Sequence, residues 1–319
     1  MLDEIQRVPD LLSYLQPIID DDPTPGRWVL TGSQNLTLLE SVSQSLAGRS
    51  ALFELLPLAR TEIVRFDTFP STLDDALLTG GYPRILDQRL APADWLAAYV
   101  ATYIERDVRS VSNVGDLVSY QRMLELAAGR TGQLLNYSAL AGDVGVSQPT
   151  AKAWLSVLET TYVTFRIPAF HANIRKRLVK QPKLHFIDSG LACWLLGIRS
   201  PSQLRLHPLR GAIFESWVAS EIFKHRRNAG ESLGLSHYRD RHGAEVDLVV
   251  DRPDRLVLVE VKAARTISSS FYSSAVRVAD ELSDHRPVET VVVYGGDELQ
   301  RRNRVTLLPW THIREFDWV

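Results

Sequence analysis

The sequence predicts a multi-domain α/β protein, and three stretches carry that reading. The first fifty residues alternate strand and helix. Residues 133–190 read as helix, turn, helix and two strands. The last third runs helix, three strands, helix, strand. At 319 residues the chain is long for a single domain. Its hydrophobic share of 45% and charged share of 23% are ordinary for a protein that buries real cores, which excludes disorder and collagen-like or disulfide scaffolds.

The elements follow in order. MLDEI is the tail of a buried strand, VPDLLSYLQPIID is an amphipathic helix, RWVLTGSQN a short apolar strand and LTLLESVSQSLAGR a second helix, an alternation that favours parallel pairing. From about Leu58 to Arg130 the periodicity turns helical. NYSALAGDVGV then gives a helix and a turn at Gly145. SQPTAKAWLSVLET is the next helix, with Ser147 at its N-cap and Pro149 in its first turn, where a missing N–H costs nothing. The strands TYVTFRIPAF and PKLHFID, joined by a basic connector, complete the plan of a winged helix. AIFESWVASEIFKHRR opens the last module, whose strands are LSHYRD, AEVDLVVD, RLVLVEVKA, TVVVYGG and RVTLLPW, with a helix around SSSFYSSAVRVADEL. Boundaries are expected at residues 1–57, 58–130, 131–190 and 191–319.

Charge is unevenly spread. Residues 1–120 hold nine Arg, no Lys and 17 acids, whereas residues 121–319 hold 27 basic and 21 acidic side chains. A polyanion such as DNA would therefore meet the second part of the chain. At the second helix of the winged plan, Gln148, Thr150 and Lys152 would face base edges. Arg175, Lys176, Arg177, Lys180 and Lys183 would meet phosphates. The lone cysteine, Cys193, lies in the apolar stretch LACWLLG and suits a small buried hydrophobe, so a reducing, cytoplasmic setting is expected. No apolar run is long enough to span a membrane, and the acidic N-terminus has no signal-peptide core.

The runs LDEIQRVPDLL, VLTGSQN, SLAGR, ELLPL, TGGYPR and YIERDV occur in the order found in a family of bacterial and archaeal AAA ATPases with a C-terminal domain of unknown function. This resemblance covers essentially the whole chain. It implies a AAA core with a helical lid, in which Asp3 and Glu4 are the Walker B acids: Asp3 on Mg²⁺ and Glu4 polarising the attacking water. Ser33 and Gln34 match the sensor position. Arg49 is a candidate arginine finger, which acting in trans would imply a homo-oligomer; a positive charge near a helix C-terminus is its alternative role. The six lysines begin at Lys152 and none follows a glycine, so there is no Walker A loop to cradle a triphosphate. The core is therefore expected to be truncated at its N-terminus, with ATP bound only if the missing segment is restored.

Asp247, twelve residues, then Glu260-Val261-Lys262 resembles the core of the PD-(D/E)XK nucleases. Glu260 and Lys262 lie two apart on one strand and share a face. Asp247 comes from the neighbouring strand, and Glu215, from the preceding helix, would complete an oxygen cage for Mg²⁺, with Lys262 orienting water. Arg241 and His242 would touch phosphate. Three readings stand: an ATPase relative inactive as written, an Mg²⁺-dependent nuclease, and a non-catalytic DNA-binding or scaffold protein.

Overall fold

A computed structural model describes residues 1–8, 10–32, 46–103, 116–170, 181–240, 243–283 and 286–319. It is mixed α/β, as the sequence predicts, with one three-stranded and one six-stranded sheet.

At the N-terminus Leu2 forms a parallel bridge with Leu30, the pairing expected from strand–helix alternation. Helix α1 (Leu11–Asp21) packs Leu12 and Leu15 against Ile5 and Leu46 in a small core of its own. Four helices follow the loop at residues 51–59: α2 (Arg60–Ile63), α3 (Leu73–Thr79), α4 (Pro83–Asp87) and α5 (Pro92–Thr102). Helix α6 (Leu117–Ala128) starts where Asp116 accepts the Ser119 N–H at 3.0 Å, capping an otherwise unpaired donor.

Two helices and the turn between them form where the sequence placed them. Helices α7 (Tyr137–Val144) and α8 (Gln148–Thr160) are joined at Gly145, which closes α7 in the left-handed region (φ 89°) that a side chain would resist. Ser147 caps α8 through the Thr150 N–H at 3.2 Å. Strands β2 (Thr164–Ile167) and β3 (Lys183–Phe186) pair antiparallel, and β1 (Gln133–Leu134) joins the other edge of β3, giving the order β1-β3-β2.

After α9 (Ser189–Leu195) and α10 (Pro201–Leu206) comes α11 (Arg210–Asn228), the axis of the molecule. Twelve of its 19 residues are buried, so it has no solvent face to speak of. Its Phe214, Trp217, Val218 and Ile222 share one core with Phe165, Ile167, Ile187 and Cys193 on one side and Leu248, Val257, Val259 and Val291 on the other. Its buried polar groups are satisfied across the same junction: Ser216 Oγ bonds Thr131 Oγ1 (2.6 Å) and His185 Nδ1 (2.9 Å), and Ser220 donates to Ile187 O (2.5 Å). Lys224 donates to Leu58 O (3.1 Å) and Glu221 accepts the Arg60 N–H (2.6 Å), which anchors the ELLPL stretch.

The six-stranded sheet has the order β4-β5-β6-β7-β9-β8, comprising β4 (Leu235–Arg239), β5 (Glu245–Asp251), β6 (Leu256–Lys262), β7 (Val288–Tyr294), β8 (Gln300–Arg302) and β9 (Val305–Pro309). Strands β4, β5 and β6 form an antiparallel meander. Helix α12 (Ser273–Leu282) then crosses over to β7, which runs parallel to β6. Ala275 and Val278 of α12 cover Val246, Val249 and Leu258 on the sheet face opposite α11. Phe170 N–H donates to His237 O (2.6 Å) and His237 N–H to Pro168 O (2.9 Å), so the chain just after β2 docks on the β4 edge of the large sheet. Among the described residues, no helix is long and apolar enough to cross a membrane.

Candidate acid–lysine centre

Strands β5 and β6 pair up to Leu248↔Val259, and Asp247 sits one residue beyond that pair. The β4–β5 register also shifts there: between the pairs Ser236↔Val249 and Tyr238↔Val246, β5 has two residues, Asp247 and Leu248, opposite the single His237. Such a bulge re-aims a side chain. Asp247 Oδ2 consequently accepts the Val261 N–H of β6 at 2.8 Å, so a carboxylate stands where the ladder stops.

Lys262 Nζ lies 2.8 Å from Glu260 Oε2 and 3.7 Å from Asp247 Oδ2. Three residues proposed from spacing are thus brought together. Glu215, reaching in from α11, does not touch Lys262. Its Oε1 is 2.9 Å from Lys183 Nζ, and the same ammonium is 3.1 Å from Glu245 Oε1 and 3.8 Å from Asp247 Oδ1. Asp247 therefore links two halves, Glu215–Lys183–Glu245 and Glu260–Lys262.

Lys183 was expected to meet phosphate on the surface. It is instead 3% exposed at the start of β3 and points inward, because the acids of α11 and β5 offer its ammonium partners that the apolar strand lacks. Sequence reasoning missed Lys183 and Glu245 as members of the centre. The signals were there: Lys183 opens an apolar run, and Glu245 precedes Asp247 by two, which on a strand means a shared face.

Burial shapes the electrostatics. Glu215 is pushed up to about 8 by burial first, then by the Asp247 charge, with Lys183 pulling the other way. Glu260 is pushed up to about 7, again by burial first and Asp247 second, with Lys262 opposing. For Lys183 burial favours the neutral amine, but Glu215, Asp247 and Glu245 together outweigh it and its affinity for the proton rises. Lys262 shifts the same way, under Asp247 and Glu260.

Both glutamates are raised above their unfolded range, so the stability tied to their protonation is present at acid pH and lost as pH rises through about 7 and 8. Thermal stability between pH 5.5 and 8.5 should therefore fall with pH, by an amount on the order of 1–3 kcal/mol beyond other titrations. Glu215→Gln should flatten the slope. Scanning calorimetry across that range checks this, and equal slopes in both proteins would refute it.

Magnesium was expected here, and as arranged these donors do not fit it. An ammonium lies among Glu215, Glu245 and Asp247, and among the described residues no three His, Cys, Asp or Glu side chains are grouped to hold a metal.

The other proposed site residues that the structure describes make contacts of their own. Asp3 accepts a hydrogen bond from the Thr31 hydroxyl. Glu4 adopts a left-handed backbone (φ 54°) and faces Arg7 at 3.5 Å. The Arg49 guanidinium grips Asp20 through Nε (2.5 Å) and Nη2 (3.1 Å), beside the end of α1. Gln148 and Lys152 are exposed on α8, Lys152 lying 5.2 Å over the Tyr137 ring, whereas the Thr150 hydroxyl is engaged with Ser147. Ser33, Gln34, Arg175, Lys176, Arg177, Lys180, Arg241 and His242 lie outside the described residues.

Three family models match the chain. Residues 1–64 match an AAA domain, residues 70–202 a domain of unknown function (DUF8612), and residues 210–313 a domain of unknown function (DUF4143). Uncharacterised proteins of Mycobacterium bovis and Mycobacterium tuberculosis are each 32% identical over 300 residues, covering 93% of this chain and 64% of theirs. An uncharacterised protein of Methanocaldococcus jannaschii is 24% identical over 273 residues, covering 78% of this chain and 57% of its own. The chain thus spans less than two thirds of the length of these relatives. No solved structure matches. Together these matches support an AAA-like family protein with a C-terminal domain of unknown function.

Proposed function

We propose that this chain is the nucleic-acid-binding part of an AAA-like protein. In this reading residues 131–190 form a winged helix and residues 191–319 a nuclease-like domain that binds without cutting. The observation that carries it is the meeting of Asp247, Glu260 and Lys262 at the point where β5 and β6 part, on a meander followed by a parallel crossover. That is the constellation the PD-(D/E)XK resemblance asks for, whereas the lysine lodged among its acids argues against a working metal.

Duplex DNA is expected to bind with an affinity that falls as salt rises, since phosphate contacts release counterions. Neutralising Arg175, Lys176, Arg177 and Lys180 together should make the log–log slope shallower by about three to four contacts. Fluorescence anisotropy at several salt concentrations measures this; an unchanged slope removes the connector from the interface. Mg²⁺-dependent nicking abolished by Asp247→Ala would overturn the reading of binding without cutting.

The AAA-like portion is read as a nucleotide-site partner without a phosphate cradle. Asp3 and Glu4 supply acids, and no lysine precedes Lys152 to neutralise a triphosphate. Titration calorimetry of residues 1–319 with MgATP should give no micromolar binding. A micromolar dissociation constant would overturn this.

A further inference from the structure

We infer that Lys183 serves as a resident cation of the acid centre, occupying by its ammonium the place that a divalent metal would take and closing the centre to metals. Four carboxylates, Glu215, Glu245, Asp247 and Glu260, surround two ammonium groups. Lys262 lies on the same strand as Glu260 and is a quarter exposed. Lys183 differs in origin and depth. It comes from β3 of the small sheet, its side chain is 4% exposed, and it contacts three acids on α11 and β5 at once.

The physical case is one of charge and space. A divalent ion needs several carboxylate oxygens converging on one point with two positive charges facing them. Here a single positive charge already faces Glu215, Glu245 and Asp247 within 3.8 Å, and the remaining acid, Glu260, is drawn to Lys262 at 2.8 Å. A metal entering would have to share the centre with an ammonium a few ångströms away, and their repulsion in a buried setting would oppose it. The Lys183 backbone is fixed in the middle strand β3, paired with Leu134 of β1 and Ile167 of β2, which sets the base of its side chain beside the acids. It also ties that sheet to the acids of α11 and β5, so one side chain both neutralises the acids and fixes the docking of the two units. This inference rests on the geometry of Lys183 and stands whether or not nucleic acid binds.

The test is manganese binding to the full chain near neutral pH, read from the electron paramagnetic resonance signal of free Mn²⁺. Wild type and Asp247→Asn should take up Mn²⁺ equally weakly. Lys183→Met should bind it about tenfold or more tightly, and adding Asp247→Asn to that variant should return uptake to the wild-type level. Circular dichroism confirms that each variant is folded. If Lys183→Met does not fold, Lys183→Gln, which keeps a polar group toward the acids, takes its place. Wild-type uptake that drops on Asp247→Asn overturns the inference. So does a folded Lys183 variant with no tighter binding. The comparison of wild type with Asp247→Asn needs no Lys183 variant and decides the first half alone.

Discussion

Lys183→Met is expected to lower the free energy of unfolding by about 3–5 kcal/mol near pH 8, because it removes the cation from acids that stay buried. The side chain is 4% exposed, and its three carboxylate partners come from two different elements, so no single rotamer change can replace it. The loss should shrink toward pH 5.5, where Glu215 and Glu260, raised to about 8 and about 7, carry protons and no longer need a counter-charge. Urea unfolding at both pH values measures this. Lys183→Met combined with Asp247→Asn should recover part of the deficit, since the second change removes one of the stranded charges. A loss below about 1 kcal/mol at pH 8 would mean that the acids are solvated well enough without Lys183.

Gly80→Ala is expected to cost more than about 3 kcal/mol, for two reasons that add. Gly80 has φ 68°, a conformation that alanine adopts only under strain. The space is also taken: a methyl there would press on both Asp188 carboxylate oxygens, coming within 2.6 Å of Oδ2. Asp188 is buried, accepts the Gly81 N–H at 2.7 Å and caps α9 through the Leu191 N–H at 2.8 Å. One carboxylate thereby joins the turn after α3 to the start of α9. Asp188→Ala alone should cost about 2–4 kcal/mol from the stranded donors and the lost cap. The double variant should cost less than the sum, because removing the carboxylate relieves the clash. Chemical denaturation of the two single variants and the double measures the coupling; strict additivity would place the strain at Gly80 in the backbone alone.

Much of the fold was legible. The meander, the crossover helix and the helix pair α7–α8 have strong periodicity and clear punctuation, such as Gly145 after α7 and Ser147 before α8, and they form where those signals stand. Strands β1 and β8 were not, because two or three residues cannot display a period. The TGGYPR run was legible only as a family likeness. Its reason is the close approach of Asp188, more than a hundred residues away, to Gly80 and Gly81.

The candidate site divides in the same way. Asp247, Glu260 and Lys262 could be grouped from sequence because strand alternation and one short turn bring them together. The bulge that aims Asp247 at the Val261 N–H could not, since it depends on the register against β4. Residue order and composition alone thus determined the α/β class, the succession of the longer elements and the grouping of Asp247, Glu260 and Lys262. Tertiary structure alone decided that Lys183 lies among those acids, because ammonium and carboxylates separated by 32 to 64 positions meet only when α11 and the two sheets share one core.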